Sequence, residues 1–156
     1  MKYQELVDVY SALENTTKRL EKTQIISNFL LKLDSTTLEQ VGLLILGSIF
    51  PAWSDKEIGI GNKLVMQAVG EAVGVTPDKV EDAVRDQGDI GLACISLYAK
   101  KSQTTFFSQP LTIDFVFKSL RKLSEKSGAR STKRKIDIIL EMLSQASASE
   151  AKYLTR

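Results

Sequence analysis

The stretch "TIDFVFKSLRKLSEKSGARSTKRK", residues 112–135, decides the fold class because it has helical period on both sides of a glycine. At 3.6 residues per turn its apolar side chains share one face and its basic side chains cover the opposite face. The apolar positions are Ile113, Val116, Leu120 and Leu123. Gly128 is expected to end this helix and Ser131 or Thr132 to start the next.

The rest of the chain repeats this pattern of helices with defined ends. Apolar stripes at helical spacing predict the first two helices. The first stripe is Tyr3, Leu6, Val7, Tyr10 and Leu13, and the second is Ile25, Ile26, Phe29, Leu30 and Leu33. The sequence "TTLE" at 36–39 predicts a capping box before a third helix, which Pro51 should end.

Further start and stop signals predict the remaining helices. Gly74 should end one helix, and Thr76 with Pro77 should start the next. Asp89 is a candidate cap, and Ser147 with Glu150 predicts a short last helix. With no hairpin signal or sustained alternation, we predict an all-α fold, a single compact domain of about eight helices. Residues 64–80 and 116–136 share one order (helix, glycine, hydroxyl cap, helix), which indicates either two pseudo-repeated hairpins or two ordinary ones.

Composition limits the function classes. A chain of 156 residues with 43% apolar and 26% charged residues fits one globular domain. The longest apolar run, at 41–50, is too short to cross a bilayer, and the amino terminus lacks the pattern of a signal peptide. The absence of histidine makes catalytic triads and zinc sites improbable, so we expect no catalytic or metal-binding residue. The single Cys94 fits a reducing cytoplasm.

Basic residues concentrate in one segment. Residues 118–135 hold eight basic residues and one acidic residue, a net charge of +7 in a chain whose net charge is +2. A helix that starts near Ser131 presents unpaired backbone N–H groups and the positive end of its dipole, which suits a phosphate. We therefore predict DNA-backbone contacts, against the alternative of a solvated basic face. The candidates are Lys118, Arg121, Lys122, Lys126, Gly128, Arg130, Ser131, Lys133, Arg134 and Lys135.

A second candidate phosphate site lies in "EIGIGNKLVMQAV", residues 57–69. Gly-x-Gly followed by a lysine-bearing helix resembles the hairpin of helix–hairpin–helix DNA-binding modules, in which glycines let backbone amides approach a phosphate. Its contact group would be Gly59, Gly61, Asn62 and Lys63. A simple turn between helices is the alternative.

The third candidate is the loop "KKSQTTFFSQP", residues 100–110, where two phenylalanines lie among polar residues. Gln103, Phe106 and Phe107 form Q-x-x-F-F, an abbreviated version of the motif with which proteins dock to sliding clamps. Alternatively, both rings pack into the core of this domain.

Together these segments resemble the amino-terminal helical DNA-binding domain of archaeal ATP-dependent DNA ligases. The resemblance covers essentially the whole chain and rests on residues 3–30, 58–74, "GDIGLA" at 88–93, and 111–156. The family's G-x-x-S-x-x-x-K pattern is carried by Gly128, Ser131 and Lys135. In archaeal members the Q-x-x-F-F loop is the clamp-binding element, which favours that role for Gln103, Phe106 and Phe107.

The resemblance implies that residues 1–156 bind nicked double-stranded DNA without sequence preference. The parent ligase would seal nicks in replication, repair and recombination, using ATP and Mg²⁺. Its adenylation domain takes AMP on the lysine of a K-x-D-G motif that does not occur here. We therefore expect a non-catalytic domain of a larger enzyme, without the adenylation and oligonucleotide-binding-fold domains and without a cofactor of its own.

Two other functions fit the same residues. A helical adaptor would bind only a clamp-like protein through Phe106 and Phe107, leaving the basic face solvated. An unrelated helix–hairpin–helix module would bind DNA without a role in ligation.

Overall fold

The computed structural model describes residues 1–100, 109–125 and 131–156, and these ranges form nine α-helices. The helices are α1 (Tyr3–Glu14), α2 (Arg19–Leu30), α3 (Ser35–Ile45), α4 (Asn62–Val73), α5 (Pro77–Gln87), α6 (Ile90–Ala99), α7 (Ile113–Glu125), α8 (Ser131–Gln145) and α9 (Ala148–Thr155). Within the same ranges the β-type pairing is one isolated bridge, between Lys2 and Thr112. The predicted all-α class is confirmed.

Several helix ends lie where the sequence predicts them. Asp89 caps α6 by accepting a hydrogen bond from the backbone N–H of Leu92 at 2.8 Å. Ser147 and Glu150 form the predicted capping box of α9. Gly74 follows α4 in the left-handed region, at φ 78°, where glycine carries no steric penalty.

The third helix differs from its prediction at both ends. Its cap is Asp34 rather than Thr36, because the Asp34 carboxylate accepts hydrogen bonds from the backbone N–H groups of Thr36 and Thr37, each at 3.0 Å. The helix ends at Ile45, before Gly47 at φ 69°, and not at Pro51. The segment from Gly47 to Gly61 is therefore a long connection between α3 and α4 rather than the end of a core helix.

The core lies among α1, α4, α6, α7, α8 and α9. Helix α4 packs against α8 and α5, α6 packs against α5 and α9, and α7 packs against α3 and α8. The largest fully buried side chains include Leu6, Leu111, Ile113, Leu123 and Leu143. Helix α2 lies at the outside of this arrangement. Phe29 is its one buried residue, and Leu20 and Leu31, at its start and just past its end, are exposed.

Backbone hydrogen bonds fix the amino terminus against the start of α7. The N–H of Tyr3 donates to the carbonyl of Leu111 at 2.8 Å, and the N–H of Ile113 donates to the carbonyl of Met1 at 3.2 Å. These bonds hold α1 beside α7 although about 110 residues separate them in the chain.

The "GDIGLA" segment joins α5, α6 and α9. Gly88 ends α5 at φ 72°. Gly91 allows α9 to approach α6 closely, because a Cβ atom at this position would lie 2.7 Å from the carbonyl oxygen of Lys152. The Asp89 carboxylate accepts hydrogen bonds from the Arg156 guanidinium at 2.8 and 3.0 Å.

A charge cluster closes this junction. Glu14, at the end of α1, pairs with both Lys152 and Arg156, and Arg156 also pairs with Asp89. We call Glu14, Asp89, Lys152 and Arg156 the carboxyl-terminal clasp. The Arg156 hydrogen bond holds the pKa of Asp89 below its usual value, and the Lys152 hydrogen bond does the same for Glu14.

Among the residues that the structure describes, none of the helices has both the length and the apolar character needed to span a membrane.

Candidate nucleic-acid interface

The two phosphate sites predicted from separate parts of the sequence meet in the structure. The Lys135 side chain, one turn into α8, donates a hydrogen bond from Nζ to the carbonyl oxygen of Gly59 at 2.8 Å. Gly59 lies three residues before α4, and α4 packs against α8. The two helices therefore start at the same end of the pair.

The backbone at the start of α4 is open to a ligand. Gly61 is the N-cap residue and provides no side-chain hydrogen bond to the first turn. Its carbonyl accepts from the N–H groups of Leu64 and Val65, which leaves the N–H groups of Asn62 and Lys63 at the exposed helix start. Gly59 is in the left-handed region, at φ 62°, which favours glycine at that position.

The start of α8 presents cations to solvent. Thr132, Lys133 and Arg134 are exposed, whereas Ile136 and Ile139 face the core. The first turns of α4 and α8 contain no acidic residue. Within the described parts of the chain, no carboxylate pairs with Lys63, Lys133 or Arg134. We call Gly61, Asn62, Lys63, Lys133 and Arg134 the amino-end surface.

Two of the predicted contact residues on helix α7 bond to other groups of the protein. Lys118 pairs with Asp114 at 2.8 Å, and this bond, with one from Gln40, lowers the pKa of the Asp114 carboxyl. The Arg121 guanidinium donates from Nε to the carbonyl of Ile49 at 3.1 Å. The same guanidinium lies over the Phe117 ring, 4.6 Å from its centroid. Arg121 thus holds the connection after α3 against α7.

Lys122 is not held by an ion pair or hydrogen bond of this kind to any described residue. It is exposed in the last turn of α7, and within the described ranges no ion pair involves its side chain. Residues 126–130 join α7 to α8, so Lys122 belongs to the same helical hairpin as Lys133 and Arg134.

Six predicted site residues lie outside the described residues. They are Lys126, Gly128 and Arg130 of the basic segment, and Gln103, Phe106 and Phe107 of the clamp-docking loop. Ser131 is the first residue of α8 and is half-buried.

The sequence did not reveal that the Gly59 and Ser131 segments form one surface. The two partners of the connecting hydrogen bond are 76 residues apart. Local signals of periodicity and capping describe each segment separately and say nothing of such a pairing. The faint likeness between residues 64–80 and 116–136 matches α4 with α7, and it did not predict that α4 and α8 pack together.

Comparison with known proteins adds independent information. The family model described as "DNA ligase N terminus" matches residues 2–156. A DNA ligase of Methanothermobacter thermautotrophicus is 52% identical over 154 residues, which cover 99% of this chain. Ligases of Thermococcus onnurineus and Methanocaldococcus jannaschii are 42% and 33% identical over the whole chain. In each case the chain spans 28% of the length of the relative.

These matches confirm the resemblance that the motifs indicated, over the whole of the chain and with archaeal relatives. The chain belongs to the DNA ligase N-terminal family.

Proposed function

We propose that this chain binds nicked double-stranded DNA through its phosphates, as the DNA-binding domain of an ATP-dependent DNA ligase. The observation that carries the proposal is the amino-end surface, where two helix starts lie side by side among unpaired cations. The Lys135 to Gly59 hydrogen bond holds the two starts together.

The physical argument concerns the sign of the charge at these helix starts. A helix N-terminus already carries about half a positive charge from its dipole, and acidic side chains there are stabilising. Here the first turns hold Lys63, Lys133 and Arg134 instead, with no acid. This arrangement is unfavourable in the free protein and becomes favourable when a phosphate accepts the free N–H groups and pairs with the cations.

The same chemistry supports binding without sequence preference. Phosphates are identical at every base pair, so cations and backbone amides that contact them read no sequence. Lys122, exposed at the end of α7, would extend the contact along the backbone, and Lys118 could exchange its exposed partner Asp114 for a phosphate.

In the full ligase this domain would hold the duplex while other domains seal the nick. Among the described residues, no group of three or more His, Cys, Asp or Glu side chains is arranged to hold a metal ion. In this proposal the ATP- and Mg²⁺-dependent chemistry belongs to the rest of the enzyme.

A sliding clamp is the second proposed partner. The support is the sequence of Gln103, Phe106 and Phe107, which matches the clamp-docking pattern, together with membership of the ligase family. A clamp bound through this loop would keep the domain close to newly made nicks.

The proposal is tested by fluorescence anisotropy with dye-labelled nicked duplexes of unrelated sequence. The wild-type chain should bind them with similar affinity, and the affinity should fall steeply with salt because bound phosphates release counterions. The variant Lys63→Glu/Lys133→Glu/Arg134→Glu should lose affinity by about 100-fold or more at low salt, with a smaller salt dependence.

The control is Arg19→Glu/Lys32→Glu/Lys79→Glu, which changes the net charge equally at three exposed positions outside the amino-end surface. It should retain most of the affinity. Equal losses in both variants would assign binding to net charge rather than to this surface. Absence of duplex binding at low salt would favour the protein-only adaptor.

A further inference from the structure

Trp53 is the one tryptophan of the sequence, and its surface is 87% exposed. Tryptophan is usually well buried, since its ring is the largest apolar side chain. Trp53 therefore gains almost nothing from the core of this domain and is available to a ligand.

The segment that carries Trp53 is tied at both ends to cations of α7 and α8. Near its start, Arg121 of α7 donates to the carbonyl of Ile49 at 3.1 Å and lies 5.6 Å from the centroid of the Phe50 ring. At its end, Lys135 of α8 donates to the carbonyl of Gly59 at 2.8 Å. The segment thus crosses from the basic helix α7 to the amino-end surface.

Local hydrogen bonds order the segment around Trp53. The N–H of Ser54 donates to the carbonyl of Pro51 at 2.9 Å, which closes a turn with Trp53 at its third position. The N–H of Lys56 donates to the Ser54 hydroxyl at 3.3 Å. The indole is therefore presented from a defined turn.

Chain length limits how far Trp53 can lie from the proposed DNA contacts. It is four positions along the chain from Ile49 and six from Gly59, so its Cα lies within about 14 Å of the Ile49 Cα and about 21 Å of the Gly59 Cα. At about 3.4 Å per base pair, these limits correspond to roughly four and six base pairs of duplex. A duplex on the amino-end surface is within reach of the ring.

We infer that the Trp53 indole packs against the sugars of DNA bound at the amino-end surface, a contact that rests on the proposed function. Asp55, Lys56 and Glu57 beside it are exposed and together carry one net negative charge, so this turn offers the ring rather than positive charge to the DNA. The sugars are the same at every base pair, so an apolar contact with them reads no sequence. Trp53 thus adds an apolar, sequence-tolerant component to a binding surface of cations and backbone amides.

The test uses the wild-type chain with nicked duplex and records two signals in one titration. Anisotropy of the labelled DNA reports binding, and the intrinsic fluorescence of the single tryptophan reports the environment of Trp53. The fluorescence should change in parallel with the anisotropy. Trp53→Ala should lower affinity roughly tenfold without changing the salt dependence, because a ring contact releases no counterions. Trp53→Phe should restore part of the affinity.

The outcomes separate this inference from the proposed function. If the DNA binds but the fluorescence is unchanged and Trp53→Ala binds as wild type, Trp53 does not contact DNA and the proposed function stands. If the wild-type chain binds no duplex at low salt, both fail. A Trp53→Ala variant that unfolded would not affect the fluorescence test, which uses the wild-type protein.

Discussion

The amino-end surface and the carboxyl-terminal clasp both contain lysine and arginine side chains and use them differently. In the clasp, Lys152 and Arg156 pair with Glu14 and Asp89, and their side chains are mostly covered. In the amino-end surface, Lys63, Lys133 and Arg134 are exposed, and no carboxylate of the described chain pairs with them. Charge pairing therefore distinguishes cations that hold the fold from cations available to a ligand.

Contacts with uncharged groups divide the basic residues of α7 in a similar way. Arg121 lies against the Phe117 ring and binds the carbonyl of Ile49, whereas Lys122 is exposed. Position in a basic segment was not enough to tell the two apart. Variants that disturb pairing in the clasp should change stability, and variants at the amino-end surface should change affinity for DNA.

The largest expected effect on stability is at Gly91, where α6 meets the clasp. In Gly91→Ala the new Cβ would lie 2.7 Å from the Lys152 carbonyl and 2.9 Å from the Arg156 Nε, which must move α9. We expect a loss of about 1 to 3 kcal/mol in the free energy of unfolding. Urea denaturation measures it.

The matched control is Gly42→Ala, which also adds a methyl group to a helical glycine. No atom lies within 4 Å of a Cβ at this position in α3, so the variant should gain about 0.5 to 1 kcal/mol from helix propensity. Equal effects of the two substitutions would contradict the close approach of α6 and α9.

The acids of the clasp should make stability depend on pH. In the folded protein the pKa values of Glu14 and Asp89 lie below their usual values. Their contribution to stability is therefore complete above the unfolded pKa, near 4, and is lost as the pH falls through the folded pKa. In Glu14→Gln/Asp89→Asn, stability at pH 7 should fall by about 1 to 2 kcal/mol, and the decline below about pH 5 should be shallower than in wild type.

The control for this variant is Glu81→Gln/Asp82→Asn on α5. Glu81 and Asp82 pair with Arg85 on an exposed face, and such pairs contribute little to stability. We therefore expect the free energy of unfolding to change by no more than about 0.5 kcal/mol. DNA affinity should stay near the wild-type value in both variants. A clasp variant that matched wild type at every pH would show that these pairs do not stabilise the fold.

The sequence predicted where the helices start and end better than which helices pack together. Gly74, Asp89 and the Ser147–Glu150 box marked helix ends because capping acts over three or four residues. The capping box at Thr36 was wrong because Asp34, two residues earlier, reaches two N–H groups at once. The end of α3 was misplaced because Pro51 is a strong stop signal, whereas Gly47 had already turned the chain.

The same holds for the candidate site, whose segments were predicted but whose assembly was not. Its two helix starts were predicted from Gly-x-Gly and from the basic segment, but their adjacency depends on Lys135 and Gly59, which are distant in the chain. Trp53 belongs to no periodic apolar pattern in the sequence, and its exposure is evident only from the structure. The roles predicted for Gln103, Phe106 and Phe107 stay predictions, since those residues lie outside the described ranges.

The most direct test of the central claim is Gly61→Asp, measured for both stability and DNA affinity. Gly61 caps α4 with an extended backbone at φ −87° and open space around its Cβ, so aspartate fits there. Its carboxylate should cap the first turn and oppose the dipole, raising the free energy of unfolding by about 0.5 kcal/mol. It should also take the place of a phosphate, lowering affinity for nicked DNA by about fivefold, a change of about 1 kcal/mol. A variant that is more stable and binds DNA as well as wild type would contradict the assignment of this helix start as a phosphate site.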